Sequence, residues 1–143
     1  PRIFFFFFFF FSHAARPEDP RDEQEKKGQH GRCGYGNEDF TGAGTHASLQ
    51  PPLDVGGPAA QLVVGDQHTC VLREDGGVRC WGDNFNGQVG VAGVDNLGDD
   101  ETTADAPDLA LPFTPARLFA GIQVTCAVSA EGDAVCWDAG TTG

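Results

Sequence analysis

The sequence predicts an all-β fold of short antiparallel strands, arranged as about two copies of one repeating unit. Its 143 residues include 20 Gly and 9 Pro but no Met, a composition typical of a turn-rich β protein and not of a helical bundle. Two cysteine pairs recur at one spacing, because Cys126 follows Cys70, and Cys136 follows Cys80, by 56 residues. An Asp-Gly or Glu-Gly turn signal lies between the two cysteines of each pair, as expected for a hairpin.

The 56-residue offset aligns the chain with itself without a gap and gives sixteen identities, most of them Gly, Cys and Trp. Self-similarity at a fixed period of this kind indicates a repeat architecture. We therefore divide the chain into residues 1–30, outside the repeats, and residues 31–143, with units at 31–86 and 87–143. Equivalent positions include Gly31 and Gly87, Gly34 and Gly90, Leu62 and Leu118, Thr69 and Thr125, Gly76 and Gly132, and Trp81 and Trp137.

Residues 1–30 begin with Pro and contain eight consecutive Phe residues at 4–11. One interpretation is the remnant of a signal peptide, with Arg2 before a short apolar core and Ser12-x-Ala14 as a cleavage site. The alternative is low-complexity sequence or a misread gene boundary, since a homopolymer has no pattern that selects one fold. The run is too short to span a bilayer as a helix. Residues 17–27 are charged and without apolar periodicity, which predicts a disordered linker in a fragment of a longer protein.

Each repeat begins with a short apolar strand that ends at a glycine, predicted at 61–64 in the first unit and at 117–120 in the second. A hairpin follows, with strands at 69–73 and 77–81 in the first unit. Its loop, Glu74-Asp75-Gly76, fits a three-residue turn with Gly76 in the left-handed conformation. Ala130-Glu131-Gly132 provides the same loop in the second unit.

The hairpin of the first unit is followed by a long polar segment, 82–105, which we predict to be a loop. Three strands per unit are evident, and a fourth is predicted near Asp54-Val55 or Ala110-Leu111. Several short antiparallel strands per fixed period are typical of a β-propeller blade, with a solenoid of β units as the alternative.

Residues 68–90, HTCVLREDGGVRCWGDNFNGQVG, resemble the repeat of the regulator of chromosome condensation family, in its cysteine-bearing variant. The resemblance lies in the Asp-Gly turn, the Trp81-Gly82 pair and the segment from Gly87 to Gly90. It implies antiparallel β-propeller blades in an incomplete propeller, to which further blades of a longer chain would be partners. The second unit departs from the pattern, with Val124 in place of the His and Asp138 in place of the Gly after Trp.

The loop register predicts how the cysteines pair. If residues 74–76 form the loop, Arg73 faces Gly77, and Cys70 then lies directly opposite Cys80. The same register places Cys126 opposite Cys136. Facing cysteines at non-hydrogen-bonded sites of a hairpin are close enough for a bridge, so these two disulfides are our prediction. Buried reduced thiols are the main alternative and a zinc site the least favoured one; Cys33 is left without a mate.

Other candidate sites are weak. His68 and Cys70 share a strand face and suggest a nucleophile pair, but Val124 replaces the His in the second unit. The acidic residues Asp95, Asp99, Asp100 and Glu101 suggest a calcium loop, although their spacing matches none. The glycines at 31, 34 and 36 resemble a phosphate loop without its Lys. We therefore predict no catalytic residue, no metal and no cofactor.

Charge indicates the kind of partner. Five of the nine basic and five of the 21 acidic residues lie in 1–31, so the whole net charge of −12 falls on the repeats. Such a surface repels nucleic acid and favours proteins with basic patches. We predict a non-enzymatic protein-interaction or scaffold module without a membrane partner, extracellular or at the cell surface if the disulfides form. The resemblance also allows guanine nucleotide exchange on a small GTPase, or the propeller part of a ubiquitin-ligase-type protein.

Overall fold

The computed structural model describes residues 31–36 and 49–138, and its named elements are all strands in antiparallel sheets. This confirms the all-β prediction. The predictions for the Phe run and for the charged segment at 17–27 lie outside the described residues. Within the described residues, no helix is long and apolar enough to cross a membrane.

Among the described residues, seven strands form two sheets. Blade 1 has the order β1-β2-β3-β4, with β1 at Ala59–Val64, β2 at His68–Arg73, β3 at Val78–Asp83 and β4 at Asn96–Leu97. Blade 2 has the order β5-β6-β7, with β5 at Pro115–Ala120, β6 at Thr125–Ser129 and β7 at Ala134–Trp137. β1 packs beside β5, and β2 also contacts β5, so blade 2 lies against one face of blade 1.

The hairpin turn of each blade has the predicted register. In blade 1 the N–H of Arg73 donates to the carbonyl of Gly77 at 2.9 Å, and Gly76 has φ +85°. In blade 2 the N–H of Ser129 donates to the carbonyl of Asp133 at 2.8 Å, and Gly132 has φ +98°. A β-carbon at either φ is strained, which explains why glycine ends both loops.

The fourth strand lies elsewhere than predicted. It is β4, inside the segment expected to be a loop, and it pairs with the end of β3 through Gly82 and Asp83. Both predicted positions are wrong. Asp54-Val55 lies in no strand, and the chain near Ala110-Leu111 forms only an isolated bridge between Arg79 and Asp108, beside a bond from the N–H of Leu109 to the carbonyl of Val78 at 2.8 Å. Two short segments thus share the outer edge of β3. The sequence did not predict β4 because a strand of two residues is too short to show an alternation of apolar and polar residues.

The core lies between the blades. The cluster of fully buried apolar side chains spans both sheets and the segment after β3: Cys70, Val71, Leu72, Val78, Cys80, Trp81, Val89, Leu97, Leu118 and Ala127. A repeat of this size buries its apolar face chiefly against its neighbour. The sheet of blade 1 begins at Ala59 and ends at Leu97. The division of the repeats at residue 87 stays a prediction, because the period fixes the length of a unit and not the residue at which it begins.

Candidate interaction site at the blade junction and rim

A loop carbonyl anchors each blade to the chain segment before it. In blade 1, the hydroxyl of Thr69 and the indole N–H of Trp81 both donate to the carbonyl of Arg32, at 3.0 and 2.9 Å. In blade 2, the equivalent Thr125 and Trp137 both donate to the carbonyl of Gln88, at 2.8 and 3.0 Å. Arg32 and Gln88 are themselves 56 residues apart. The two tryptophans therefore each join the sheet of a blade to the loop that precedes it.

Glycine allows this anchoring loop to lie flat on the tryptophan. A β-carbon at Gly34 would lie 2.9 Å from Nε1 of Trp81, and one at Gly90 would lie 2.9 Å from Nε1 of Trp137. Both glycines have positive φ, +77° and +79°. The glycine string at 31–36 is thus a turn that docks on blade 1.

A second contact is made by the amide side chain of Gln61, which bonds the backbone of β5 in both directions. Its Nε2 donates to the carbonyl of Leu118 at 2.9 Å, and its Oε1 accepts from the N–H of Leu118 at 2.8 Å. Leu118 is completely buried. This clamp sets the register between the two blades, and the second repeat has Arg117 at the position of Gln61.

His68 also belongs to this junction. Its Nε2 lies 2.8 Å from the hydroxyl oxygen of Thr125, which donates its own proton to the carbonyl of Gln88. Nε2 must then carry the hydrogen and Nδ1 must lack it. Nδ1 is buried and has no hydrogen-bond partner among the described residues. Desolvation by burial lowers the pKa of His68, against the attraction of Asp83 and Asp66.

The cysteines pair as the register predicted. Cys70 is bonded to Cys80, and Cys126 to Cys136, with Cα atoms 4.1 and 4.0 Å apart, and Cys33 is an exposed free thiol. His68 and Cys70, considered above as a nucleophile pair and set aside, are not available for that role in this state, because the sulfur is in a bridge and the imidazole is bound to Thr125.

The structure brings together only three of the four acidic residues that suggested a calcium loop. The carboxylates of Asp99, Asp100 and Glu101 lie within 4.8 Å of one another, whereas Asp95 is not in this group and instead accepts the N–H of Asn84 through its backbone carbonyl. Desolvation by burial, followed by the hydrogen bond with Asp100, raises the pKa of Glu101. Exposed acidic groups of this kind are common in solvated loops.

An ion network at the outer rim of blade 1 has no counterpart in the sequence predictions. The buried guanidinium of Arg73 donates to both carboxylate oxygens of Asp108, at 2.8 and 2.6 Å, and to Asp75 at 3.1 Å. Arg79 donates to Asp108 at 3.0 Å and to the carbonyl of Thr103 at 2.8 Å. Hydrogen bonds from Arg73 hold the pKa values of Asp75 and Asp108 below their usual range.

The network brings the segment before blade 2 against the hairpin tip of blade 1, and a groove forms between them. This rim groove encloses about 430 Å³ and is lined by Gly76 and residues 109–115. Leu109, Leu111 and Phe113 are half-buried along it. No sequence signal indicated it, since its two walls are more than 30 residues apart in the chain.

Comparison with known proteins places this architecture in a family. Residues 59–88 match the family model described as the regulator of chromosome condensation (RCC1) repeat. The chain is 32% identical over 123 residues to the ultraviolet-B receptor UVR8 of Arabidopsis thaliana, covering 81% of this chain and 24% of that protein. The chain thus spans about a quarter of the length of this relative.

Solved structures share the fold. Human WBSCR16 matches with a TM-score of 0.56 and 21% identity, over 77% of this chain and 27% of that one. Yeast RCC1 (Prp20), in its crystal structure with Kap60, matches with a TM-score of 0.53 and 23% identity, over 76% of this chain and 23% of that one. At these identities the likeness concerns the fold alone.

Proposed function

Since this chain is built from regulator of chromosome condensation repeats, we propose that it acts as a protein-interaction module rather than as an enzyme. One observation carries the proposal. The side chains that could perform chemistry make structural contacts, His68 with Thr125 of blade 2 and Cys70 with Cys80 of its own blade, whereas the carboxylates at the rim stay accessible. A fold that holds loops and edges rigidly supports binding.

The chemistry of the surface selects the partner. The repeats carry the whole net charge of −12, and two of their four arginines, Arg73 and Arg79, are only 7% and 12% exposed because they pair with carboxylates. The remaining acidic surface attracts basic protein segments and steers their association. That yeast RCC1 has been crystallised bound to Kap60 supports a protein as the partner of such a propeller.

Selection of a random-peptide display library on the immobilised full chain tests the proposal. We expect enriched peptides to be rich in Lys and Arg, and their binding to weaken as salt is raised. The matched control is the same chain with its disulfides reduced and the protein unfolded. No enrichment over this control, or catalytic turnover traced to the chain, would contradict the proposal.

Guanine nucleotide exchange, or a place in a ubiquitin-ligase-type protein, remains a prediction about a longer protein. No described residue favours either activity over simple binding. Release of fluorescent GDP from purified small GTPases, measured with and without the chain, tests the exchange prediction directly. Acceleration that depends on chain concentration would favour exchange over the binding module.

A further inference from the structure

We propose that the rim groove, defined by Gly76 and residues 109–115, is the docking site for an extended peptide segment of a partner protein that places an apolar side chain in the groove and Lys or Arg beside it. This inference rests on the proposed function, because it names the surface and the partner chemistry of the interaction module.

The groove belongs to this junction and not to the repeat. The equivalents of Ala110, Pro112 and Phe113, 56 residues earlier, are Asp54, Gly56 and Gly57. Neither glycine could supply an apolar wall, and a carboxylate would replace the alanine. Gly76 and Leu109 recur in the repeat as Gly132 and Leu53, so Ala110, Pro112 and Phe113 are the lining residues that distinguish this junction.

The backbone of the groove is free to bind. Among the described residues, the N–H groups of Ala110, Leu111, Phe113 and Thr114 donate no intramolecular hydrogen bond. Free N–H and C=O groups along an extended segment are what a peptide needs to add a strand-like partner, with side-chain pockets giving specificity. Leu111 and Phe113 pack against the core of the blades and leave only part of each side chain at the groove, where that part can contact the inserted side chain.

The charged side chains that are exposed beside the groove are carboxylates. Asp75 and Asp108, next in sequence to the lining residues Gly76 and Leu109, have side chains 61% and 42% exposed. Their partner Arg73 is only 7% exposed, and Glu74 at the hairpin tip is exposed as well. An approaching peptide therefore meets carboxylates and not guanidinium groups, which favours Lys and Arg.

The groove is also held in shape before any partner arrives. The paired hydrogen bonds from Arg73 fix Asp108, and the N–H of Leu109 donates to Val78. At the other wall, a β-carbon on Gly76 would lie 2.8 Å from Cγ2 of Thr114, so the tip and the segment are in close contact. Preorganisation of this kind lowers the cost of binding.

Fluorescence polarisation of the full chain with two synthetic ten-residue peptides tests the inference. One peptide alternates Leu with Arg, and the other has Glu in place of each Arg. We expect only the Leu/Arg peptide to bind. Leu111→Arg should weaken its binding at least tenfold, whereas Ile122→Arg, at a position 72% exposed and outside the groove, should change it less than twofold.

A second pair of variants tests the charge. Glu74→Lys at the tip of blade 1 should weaken binding at least threefold, and Glu131→Lys at the tip of blade 2 should leave it unchanged. Amide hydrogen exchange supplies a measurement that needs no variant, since binding should slow exchange at 110–114. Failure of the wild-type chain to bind the Leu/Arg peptide, or equal effects within each variant pair, would overturn the groove. If peptides enriched from the display library bind these variants as well as they bind the wild type, the groove is overturned but the proposed interaction module is not.

Discussion

Blade 1 and blade 2 share one repeat but differ in which face is covered. Leu118 is fully buried, whereas Leu62 at the equivalent position is 59% exposed. For the cysteines, the buried residues are in blade 1 instead: Cys70 and Cys80 are completely buried, whereas Cys136 of blade 2 is exposed. Each blade has a face toward the unit before it and a face toward the unit after it. In the described structure only one face of each blade meets the other blade.

The difference teaches that burial in this protein depends on the junction as well as on the repeat position. The residues of these pairs have the same chemistry and the same strand register, yet Leu118 and Cys80 are covered and Leu62 and Cys136 are not, whereas Thr69 and Thr125 are buried in both blades. Stability in such arrays depends on nearest-neighbour interfaces as much as on the units themselves. Identical substitutions at equivalent positions should therefore have unequal effects.

The largest expected effect is at Leu118. Leu118→Ala removes a buried side chain from the junction and should lower the free energy of unfolding by about 2–5 kcal/mol. The same change at Leu62 should cost under about 1 kcal/mol, because that side chain is already mostly in water. Denaturant unfolding followed by the fluorescence of Trp81 and Trp137 measures both. Equal losses would show that the repeat position, and not the junction, determines stability.

The two disulfides should differ in their accessibility to reductant. Thiol–disulfide exchange requires the attacking thiolate to reach a sulfur, and blade 2 covers Cys70 and Cys80 whereas Cys136 is exposed. We expect the Cys126–Cys136 bridge to be reduced at least tenfold faster. Limited reduction, alkylation and peptide mass spectrometry of a Cys33→Ser chain measure the two rates without interference from the free thiol. Reduction at one common rate would indicate that the blades separate before either bridge reacts.

Local signals in the sequence predicted much of this structure. The Asp-Gly turn set the register of β2 and β3, and that register gave the cysteine pairing through residues only ten apart. The contacts that join the blades were not predictable in the same way. Gln61 meets Leu118 across 57 residues, and Arg117 stands at the equivalent position. Arg73 meets Asp108 across 35 residues. Such contacts depend on how the blades pack, which no local pattern encodes.

His68 should make the junction sensitive to acid, with a smaller effect than the loss of Leu118. Its Nε2 hydrogen is committed to Thr125, so a second proton must enter at Nδ1, where the described residues offer no acceptor. Asp83 and Asp66 are the charged groups that favour protonation, and desolvation outweighs them, so the pKa of His68 is lowered in the folded protein. The unfolded chain then binds this proton more readily than the folded chain.

Stability from neutral His68 should thus be complete above its ordinary pKa of 6.5 and should fall as pH decreases below it. The loss can reach about 1.4 kcal/mol for each further pH unit, until the folded-state pKa is passed. His68→Val reproduces the residue that blade 2 has at position 124 and removes this titration. Denaturant unfolding of both chains from pH 7.5 to 5.5 isolates it, because the other titrating groups are common to both. We expect the wild type to lose more stability than the variant over this range, and parallel curves would show that His68 is protonated without cost, which requires the junction to open around Nδ1.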